Sequence, residues 1–362
     1  MANTRATLGD QATLDGIVNG TLTSLEEDGI VSLPANCLRY NKGLKTVIFP
    51  NVTSFGSNCF ANSNIETVDL SAAATIGTSA FNGASKLKHL ILRNNSMRTL
   101  SNVNALSGTM IARGLGAVYV PATLLDTYKG NTNWKNYTIL PIEDYPATEF
   151  GTIKDSWSEI LTAESNGTYN TKYSVGDTKS ISINGVDELM EIIAFDTDDL
   201  ADGSGKAKIT WLSKGLFANH NMNASSTNAN GWTATAMRSW LRDTIFPTLD
   251  STLRSGGIKE VTKTYYDYTT TTTKSTSDTV WIPSAREMFG GDSYESSGCD
   301  YTEYFDSNAK RIKYNTSGSA YTWWLRSANS SNSDYFRDVF TDGSVYSNGA
   351  NNSRGVAFGF ST

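Results

Sequence analysis

The 362-residue chain is poor in charge, cysteine and histidine, and each shortage argues against a class of protein. Charged residues make up 18% and the formal net charge is -6, so no basic face for nucleic acid or an anionic membrane is expected. Three cysteines are too few for a disulfide scaffold. One histidine in each half, His89 and His220, does not assemble a Cys-His or Ser-His-Asp set. Glycoside hydrolysis by two carboxylates stays open, because 36 acidic residues offer many pairs.

Long apolar runs are also missing. No stretch of about 18 apolar residues occurs, and the start, MANTRATLGDQATLDG, lacks the basic and apolar regions of a signal peptide. We therefore expect no membrane insertion and no export signal. We also expect no metal and no cofactor. The acidic run DTDDLADGSGK fails the EF-hand pattern, because Ala201 and Ala207 stand where glycine and glutamate are needed. It is predicted to be a strand-connecting turn, and a calcium site of another type stays open as the alternative.

Thr, Ser, Asn, Gly and Tyr are abundant, which is typical of β-rich structure with many turns. The length predicts two domains. The segment PIEDYPATEFG interrupts the pattern of the first third, so the boundary is placed between residues 1–146 and residues 147–362. The predicted fold class is α+β.

A repeat of about 22 residues runs through the first hundred positions. VSLPANCLRYNKGLKTVIFP, TSFGSNCFANSNIETVDLS and ATIGTSAFNGASKLKHLILR align almost without gaps. The alternating ends LKTVIF, IETVDL and LKHLIL predict short parallel strands, one per turn of a β-solenoid. Cys37 and Cys59 occupy equivalent positions, and both are expected to be buried packing thiols.

These repeats resemble BspA-type leucine-rich repeats, with a Cys/Ala-Phe pair before each strand, over roughly residues 20 to 145. The sequence contains about three full repeats of this kind. The segment AVYVPATLLDTYKGNTNWKNY, with Tyr128 and Trp134, resembles the terminal cap of such arrays. So short an array favours a spacer or docking module over a ligand-binding concave face.

The second domain mixes one helix with several strands. TATAMRSWLRDTIFPTL has helical spacing after Thr233 or Thr235 as caps. Strands are predicted at KSISI, MEIIAF, KITWLS, DTVWIPS and YTWWLRS, and the Thr-rich stretch Thr262–Asp278 is predicted to be an extended hairpin or a mobile loop. Trp323 and Trp324 are assigned to the core rather than to a sugar-stacking platform.

The landmarks YSVGD, TWLSKGLF, RSWLRDTIF, VWIPSAREMFG, WWLRS, DGSV and RGVAF occur in this order. They resemble uncharacterised C-type-lectin-like domains, related in fold to the formylglycine-generating enzyme, that occur in gut bacteria and their phages. The enzyme's cysteine pair is missing, since this domain contains Cys299 alone. Some domains with this ending are variable proteins of diversity-generating retroelements, whose type case is a tropism determinant at a phage tail tip.

That resemblance implies a test on the segment Asn329–Ser353, within a variable region of about residues 323–362. Adenine mutagenesis spreads Asn codons to NNY, which cannot encode Lys, Glu, Gln, Met or Trp. These five types total 46 of 362 residues, so roughly three are expected in such a segment at the chain's own composition. None occurs there.

Tyr, Ser, Asn and Gly are also the residues that paratopes use. In DVFTDGSVYS, a three-residue turn with Gly343 in the left-handed conformation would pair Val339 with Val345 on a scaffold face. The other face would then be displayed. The predicted ligand-binding residues of this segment are Asn329, Asn332, Asp334, Tyr335, Phe336, Asp338, Phe340, Ser344, Tyr346, Asn348, Asn351 and Asn352.

The sequence thus predicts a non-enzymatic binding protein at a phage tail or on a cell surface. Its expected ligand is a cell-surface protein or glycan receptor, and the repeats would attach it to other virion or surface proteins, with multivalent display in a possible homo-oligomer. The alternatives are a bacterial adhesin of fixed specificity and a degenerate enzyme of the formylglycine-generating type.

Overall fold

A computed structural model of the chain describes residues 20–72, 75–146, 151–291 and 295–362. The chain separates into two compact units. The first contains residues 20–146 and Thr316–Ser319, and the second contains Gly151–Asn315 and Ala320–Thr362. Strands are many and helices few and short, an architecture compatible with the predicted α+β class. No helix in the described part of the chain is long and apolar enough to cross a membrane.

The described residues of the first unit form ten short strands and one α-helix. The strands are β1 Ser24–Glu26, β2 Ser32–Leu33, β3 Thr46–Phe49, β4 Ser54–Phe55, β5 Thr67–Leu70, β6 Thr75–Ile76, β7 His89–Leu92, β8 Thr99–Leu100, β9 Ala117–Val120 and β10 Ile139–Pro141, and the helix is α1 Leu125–Gly130. They make two parallel sheets, in the orders β1-β3-β5-β7-β9-β10 and β2-β4-β6-β8.

The repeat alignment predicted the register of these sheets. Val47 pairs with Val68, which pairs with Leu90, and Leu33 pairs with Phe55. The aromatic position of each repeat also stacks inside, with the Phe60 and Phe81 ring centroids 5.3 Å apart. A column of identical contacts follows, because each repeat buries its apolar face against the next.

The cap residues and the two cysteines of this unit differ in burial. Tyr128 and Trp134 of the cap-like segment are buried, and both bond the backbone of Arg98: its N–H donates to the Tyr128 hydroxyl at 2.9 Å, and the indole N–H of Trp134 donates to its carbonyl at 2.7 Å. Cys59 is buried, but Cys37 is exposed. The prediction for Cys37 was wrong because equivalent positions in a repeat differ in cover at the start of the array.

In the second unit the residues that the structure describes form eleven strands and five α-helices. The strands are β11 Thr178–Ile183, β12 Val186–Phe195, β13 Ile209–Ser213, β14 Ala218–His220, β15 Val261–Asp267, β16 Thr272–Asp278, β17 Trp323–Ala328, β18 Tyr335–Val339, β19 Val345–Gly349, β20 Arg354–Val356 and β21 Gly359–Ser361. The helices are α2 Trp157–Ser165, α3 Tyr169–Lys172, α4 Ala236–Trp240, α5 Ala285–Phe289 and α6 Asn308–Arg311.

These strands form two sheets and a separate hairpin. The first sheet has the order β11-β12-β13-β21, so the last strand returns to the first strands of the unit. The second sheet has the order β14-β20-β17-β18-β19, with β19 at an edge. The hairpin β15-β16 confirms the predicted hairpin in the Thr-rich stretch. Trp323 and Trp324 are fully buried on β17, so their assignment to the core was correct.

One predicted helix of the second unit is confirmed, and one predicted strand is not. The predicted helix begins at Thr235, whose hydroxyl accepts the Arg238 N–H, and it continues from α4 through a π turn, Leu241–Ile245, and a 3-10 turn, Phe246–Thr248. The stretch DTVWIPS was predicted to be a strand, but only two of its residues pair: Asp278 ends β16 opposite Val261, and Trp281 forms an isolated bridge to Gly359 on β21. Val280, Trp281 and Ile282 are buried, so the stretch packs into the core without forming a strand of its own.

A buried ionic cluster lies at the centre of this unit. The Lys263 ammonium is fully buried, lies 2.5 Å from Asp198 and 3.4 Å from Glu287, and is 3.5 Å from the centre of the Trp281 ring. Burial alone would lower the pKa of Lys263, but the two carboxylates hold it above its usual value. The ammonium is therefore charged, and its neighbours satisfy it as a buried ion requires.

Arg326 and Glu295 extend the cluster. Arg326 forms a bidentate pair with Glu287, at 2.6 and 2.7 Å, and is fully buried. Glu295 accepts the Ser327 hydroxyl at 2.9 Å. Burial raises the pKa of Glu295 to about 7, although Arg326 opposes the shift. Glu295 therefore takes up a proton on folding between pH 4.5, its unfolded value, and about 7.

Replacing this carboxyl should change how stability depends on pH. The stability that the neutral Glu295 carboxyl contributes relative to its ionised form is fully present below pH 4.5 and is lost as pH rises through about 7. Raising the pH from 5 to 8 should therefore destabilise the natural protein more than Glu295→Gln, by up to about 3 kcal/mol. Urea unfolding at the two pH values measures the difference.

The exposed Glu260→Gln is the matched control and should keep the natural pH dependence. Glu164, whose pKa burial also raises to about 7, is present in all three proteins and cancels. Equal pH dependence in Glu295→Gln and the natural protein would show that Glu295 is already ionised at neutral pH.

Candidate functional site

The hairpin β18-β19 positions most of the predicted ligand-binding residues. Its turn is the predicted three-residue turn: Gly343 has φ 83°, and the Phe340 N–H donates to the Ser344 carbonyl at 2.8 Å. The Ser344 N–H donates to the Asp342 carboxylate at 2.9 Å. A Cβ on Gly343 would also collide with the Asn308 carbonyl, so glycine is required there for conformation and for space.

The pairing register sorts the hairpin residues into two faces. Val339 pairs with Val345 and Asp338 with Tyr346, as the sequence predicted. Side chains alternate along a strand, so Phe340 shares the Asp338 and Tyr346 face, and Tyr335 lies on the opposite one. The structure therefore does not bring Tyr335 onto the same face of the sheet as Tyr346.

An exposed aromatic pair stands near the turn. Phe340 is 45% exposed and Tyr346 is 60% exposed, and their ring centroids lie 5.4 Å apart. Asn348 follows on the same face and accepts the Asn352 side-chain amide at 2.6 Å. We call this set the hairpin patch: Phe340, Ser344, Tyr346, Asn348 and Asn352.

Three predicted residues are not displayed. Phe336 and Asp338 are fully buried, and Asn329 is 8% exposed. Phe336 and Asp338 lie on β18, which has a partner strand on each side, and the buried Trp324 stands opposite Asp338. Alternation assigned the face correctly but not the point along the strand where the core ends. The correction confines the displayed hairpin surface to the turn end and to β19.

Asp338, although buried, contacts one residue of the hairpin patch, Asn348. One oxygen accepts the Asn348 amide at 3.5 Å and lies 3.7 Å from the Arg354 guanidinium. Burial raises the pKa of Asp338 to about 6, although Arg354 opposes the shift. Its carboxylate helps to orient Asn348, which carries one amide of the patch.

The remaining predicted residues lie in the loop at residues 329–334, at the start of β18 and just after β19. Asp334 in the loop, Tyr335 on β18 and Asn351 after β19 are exposed, and Asn332 in the loop is half-buried. The Asn332 side chain accepts the Asp334 N–H at 2.8 Å. Together these exposed aromatic, amide and carboxylate groups suit adaptable polar contacts.

Asn228, which sequence reasoning missed, holds this loop. Its side-chain amide lies 3.0 Å from the Asn329 carbonyl and 2.8 Å from those of Asn332 and Tyr335, and its backbone N–H donates to Ser333. Asn228 is fully buried. Nothing in the polar run ASSTNANG distinguishes it from its neighbours, since its partners are about 100 residues away.

The chemistry of these surfaces is suited to binding. Tyr and Phe rings supply contact area with few rotatable bonds, and amides both donate and accept hydrogen bonds.

His220 stacks on Trp240, with the ring centroids 4.3 Å apart, and His89 lies in the other unit. Burial raises the pKa of Cys299 to about 12, so its sulfur is a thiol at neutral pH.

The buried ionic cluster does not provide an accessible reaction centre. Lys263, Asp198, Glu287 and Arg326 have no exposed surface, so a substrate cannot reach them in this conformation. Among the residues that the structure describes, no group of three or more His, Cys, Asp or Glu side chains is arranged to hold a metal ion.

Two known families match separate parts of the chain. Residues 19–113 match the BspA type leucine rich repeat region, in six copies, so the N-terminal part contains BspA-type leucine-rich repeats as predicted. The expectation of about three repeats was too low. Residues 207–360 match a domain of unknown function, DUF6273. No curated protein and no solved structure gives a match.

Removing the Asn228 amide should loosen the loop that it holds. In Asn228→Ala three buried carbonyl contacts are lost, so the free energy of unfolding should fall by about 1–3 kcal/mol. Amides of residues 329–335 should exchange with solvent deuterium faster than in the natural protein, as hydrogen-exchange mass spectrometry can measure.

Ser225→Ala is the neighbouring control, because Ser225 is exposed and its change should leave both quantities as they are. Unchanged exchange at residues 329–335 in Asn228→Ala would mean that the loop is ordered by its own turns.

Proposed function

We propose that this chain is a non-enzymatic binding protein whose second unit displays the hairpin patch and the loop at residues 329–334 to a cell-surface protein or glycan receptor. The observation that carries the proposal is the exposed Phe340 and Tyr346 pair, 5.4 Å apart, on a hairpin whose turn is fixed by Gly343. Exposed aromatic rings with amides beside them, on a backbone held from below, are features of preformed recognition surfaces.

We further propose that the first unit is a β-solenoid that attaches the second unit to other virion or surface proteins. Two parallel sheets with one strand of each per repeat support the solenoid. For the second unit we propose a C-type-lectin-like fold. Its last strand, β21, rejoins the first sheet, so the preceding hairpin and loops project from a closed scaffold.

The absence of Lys, Glu, Gln, Met and Trp from Asn329–Ser353 supports a more specific proposal, that a retroelement diversifies this segment in a phage or prophage tail protein. The exposed positions in the segment include Asp334, Tyr335, Phe340, Tyr346 and Asn351, while Gly343 and Val339 are structural. A surface adhesin of fixed specificity is the alternative that the same exposed aromatic pair would also serve.

Sequencing the 3′ end of the gene across its natural population separates these two. Diversification predicts substitutions confined to adenines of a nearby template repeat, concentrated in exposed positions of Asn329–Ser353, beside a reverse transcriptase gene. A uniform segment without a template would overturn the retroelement proposal and favour the adhesin.

The patch itself is tested by Phe340→Ala and Tyr346→Ala. Each removes an exposed ring, so binding of the labelled protein to a panel of bacterial cells and to a glycan array should fall roughly tenfold or more, if these rings are binding hot spots. The melting temperature should stay within a few degrees of the natural value, because exposed substitutions cost little stability.

Tyr314→Ala, which removes another exposed tyrosine of the second unit, is the matched control and should bind normally. Capture that is equally strong in all the variants would place the binding surface elsewhere.

A further inference from the structure

A cleft of about 640 Å³ opens in the second unit and shares no residue with the hairpin patch. It lies between α2, the connection from β12 to β13, and the turn Leu253–Gly257. Its volume falls in the range of small-molecule sites, about 300–1,000 Å³. The cleft is therefore large enough for a ligand that the proposed receptor surface does not involve.

The floor of the cleft combines apolar groups with one buried carboxyl. Leu161, Leu200 and Ala207 supply apolar surface. Glu164 is 8% exposed, and its Oε1 accepts the Thr362 hydroxyl at 2.5 Å. That hydroxyl oxygen also accepts the Trp211 indole N–H at 3.1 Å, so the carboxyl is fixed in place by a buried chain of hydrogen bonds.

Three lysines line the cleft: Lys206, Lys208 and Lys259. Lys206 pairs with Asp199 at 2.8 Å and Lys208 with Asp196 at 3.3 Å, but the side chains of both pairs are 42% to 66% exposed. Exposed ion pairs of this kind contribute about 0–1 kcal/mol, so a ligand anion can compete for the ammonium groups. Lys259 donates to the Gly256 carbonyl at 2.7 Å and adds a further positive charge.

We propose that this cleft binds a small organic carboxylate, with its apolar body on Leu161 and Leu200 and its carboxylate between Lys208 and Lys259. A bare inorganic anion would leave the apolar floor uncovered. A neutral apolar molecule would leave the lysines without a counter-charge from the ligand. The combination of both surfaces selects for a molecule that carries both groups.

Glu164 faces the ligand from α2 and sets a further condition. An ionised Glu164 would repel a ligand carboxylate, whereas Glu164→Gln keeps an acceptor for the Thr362 hydroxyl and removes the charge. Glu164, Lys208 and Lys259 all line the cleft, and both lysines act electrostatically on Glu164. The variant should therefore bind the carboxylate at least as tightly as the natural protein.

The test uses the full chain with benzoate as the probe, and with benzamide and inorganic phosphate as its uncharged and body-free counterparts. Ligand-observed NMR titration should give saturable benzoate binding that is at least about fivefold tighter than binding of either counterpart, a difference that one exposed charge contact can supply. The double variant Lys208→Gln/Lys259→Gln should weaken benzoate binding by about fivefold or more, and Glu164→Gln should not weaken it.

Lys129→Gln, an exposed lysine of the first unit, is the control and should leave benzoate binding unchanged. The proposal is overturned if benzoate does not saturate, if benzamide or phosphate binds as well, or if the double variant binds benzoate normally. Phe340→Ala and Tyr346→Ala should bind benzoate normally, so failure of this proposal and failure of the receptor proposal are distinguishable.

Discussion

The pairing of Lys263 with Asp198 is the interaction on which the second unit depends. Asp198 lies in the connection between β12 and β13, and it also accepts the hydroxyls of Thr210 and Ser361, at 2.7 and 2.5 Å, on β13 and β21. Through Glu287 the same lysine reaches Arg326 on β17. One buried charge thus ties together both sheets of the unit. Removing a single partner of such a pair costs about 3–5 kcal/mol, because the other charge stays buried.

That rigidity matters for the hairpin patch. β17 is the strand on which β18 and then β19 are built, so its position decides where the exposed Phe340 and Tyr346 rings stand. Binding loses less entropy when the contact residues are already ordered. Three features hold the backbone in place and leave the neighbouring side chains exposed: the buried ionic cluster, the Asn228 contacts and the Gly343 turn. They order the surface but do not determine which ligand it would bind.

Local signals predicted the parts of this molecule that depend on neighbouring residues. The 22-residue period predicted the register of Val47 with Val68, and the DG turn predicted the pairing of Val339 with Val345, because both follow from strand alternation and turn chemistry. The contacts of Asn228 and Lys263 were not predictable. Their partners lie far away in the sequence, and a polar residue in a polar run carries no mark of being buried.

The errors at Phe336 and Asp338 have a related cause. A period of two assigns a residue to a face, but burial depends on what covers that face, which is a property of the whole sheet. The cleft lysines illustrate the same limit. Lys206 and Lys259 are distant in sequence, and both line the cleft because α2 and two loops enclose it.

The contact of Gly343 with Asn308 has an evolutionary consequence. No side chain fits at this position, whereas Phe340 and Tyr346 are 45% and 60% exposed. A population of variant genes would therefore lose changes at Gly343 through misfolding and retain changes at the exposed positions. The geometry of the hairpin alone therefore excludes changes at Gly343 and tolerates changes at Phe340 and Tyr346. The positions that tolerate change are those that a ligand can contact.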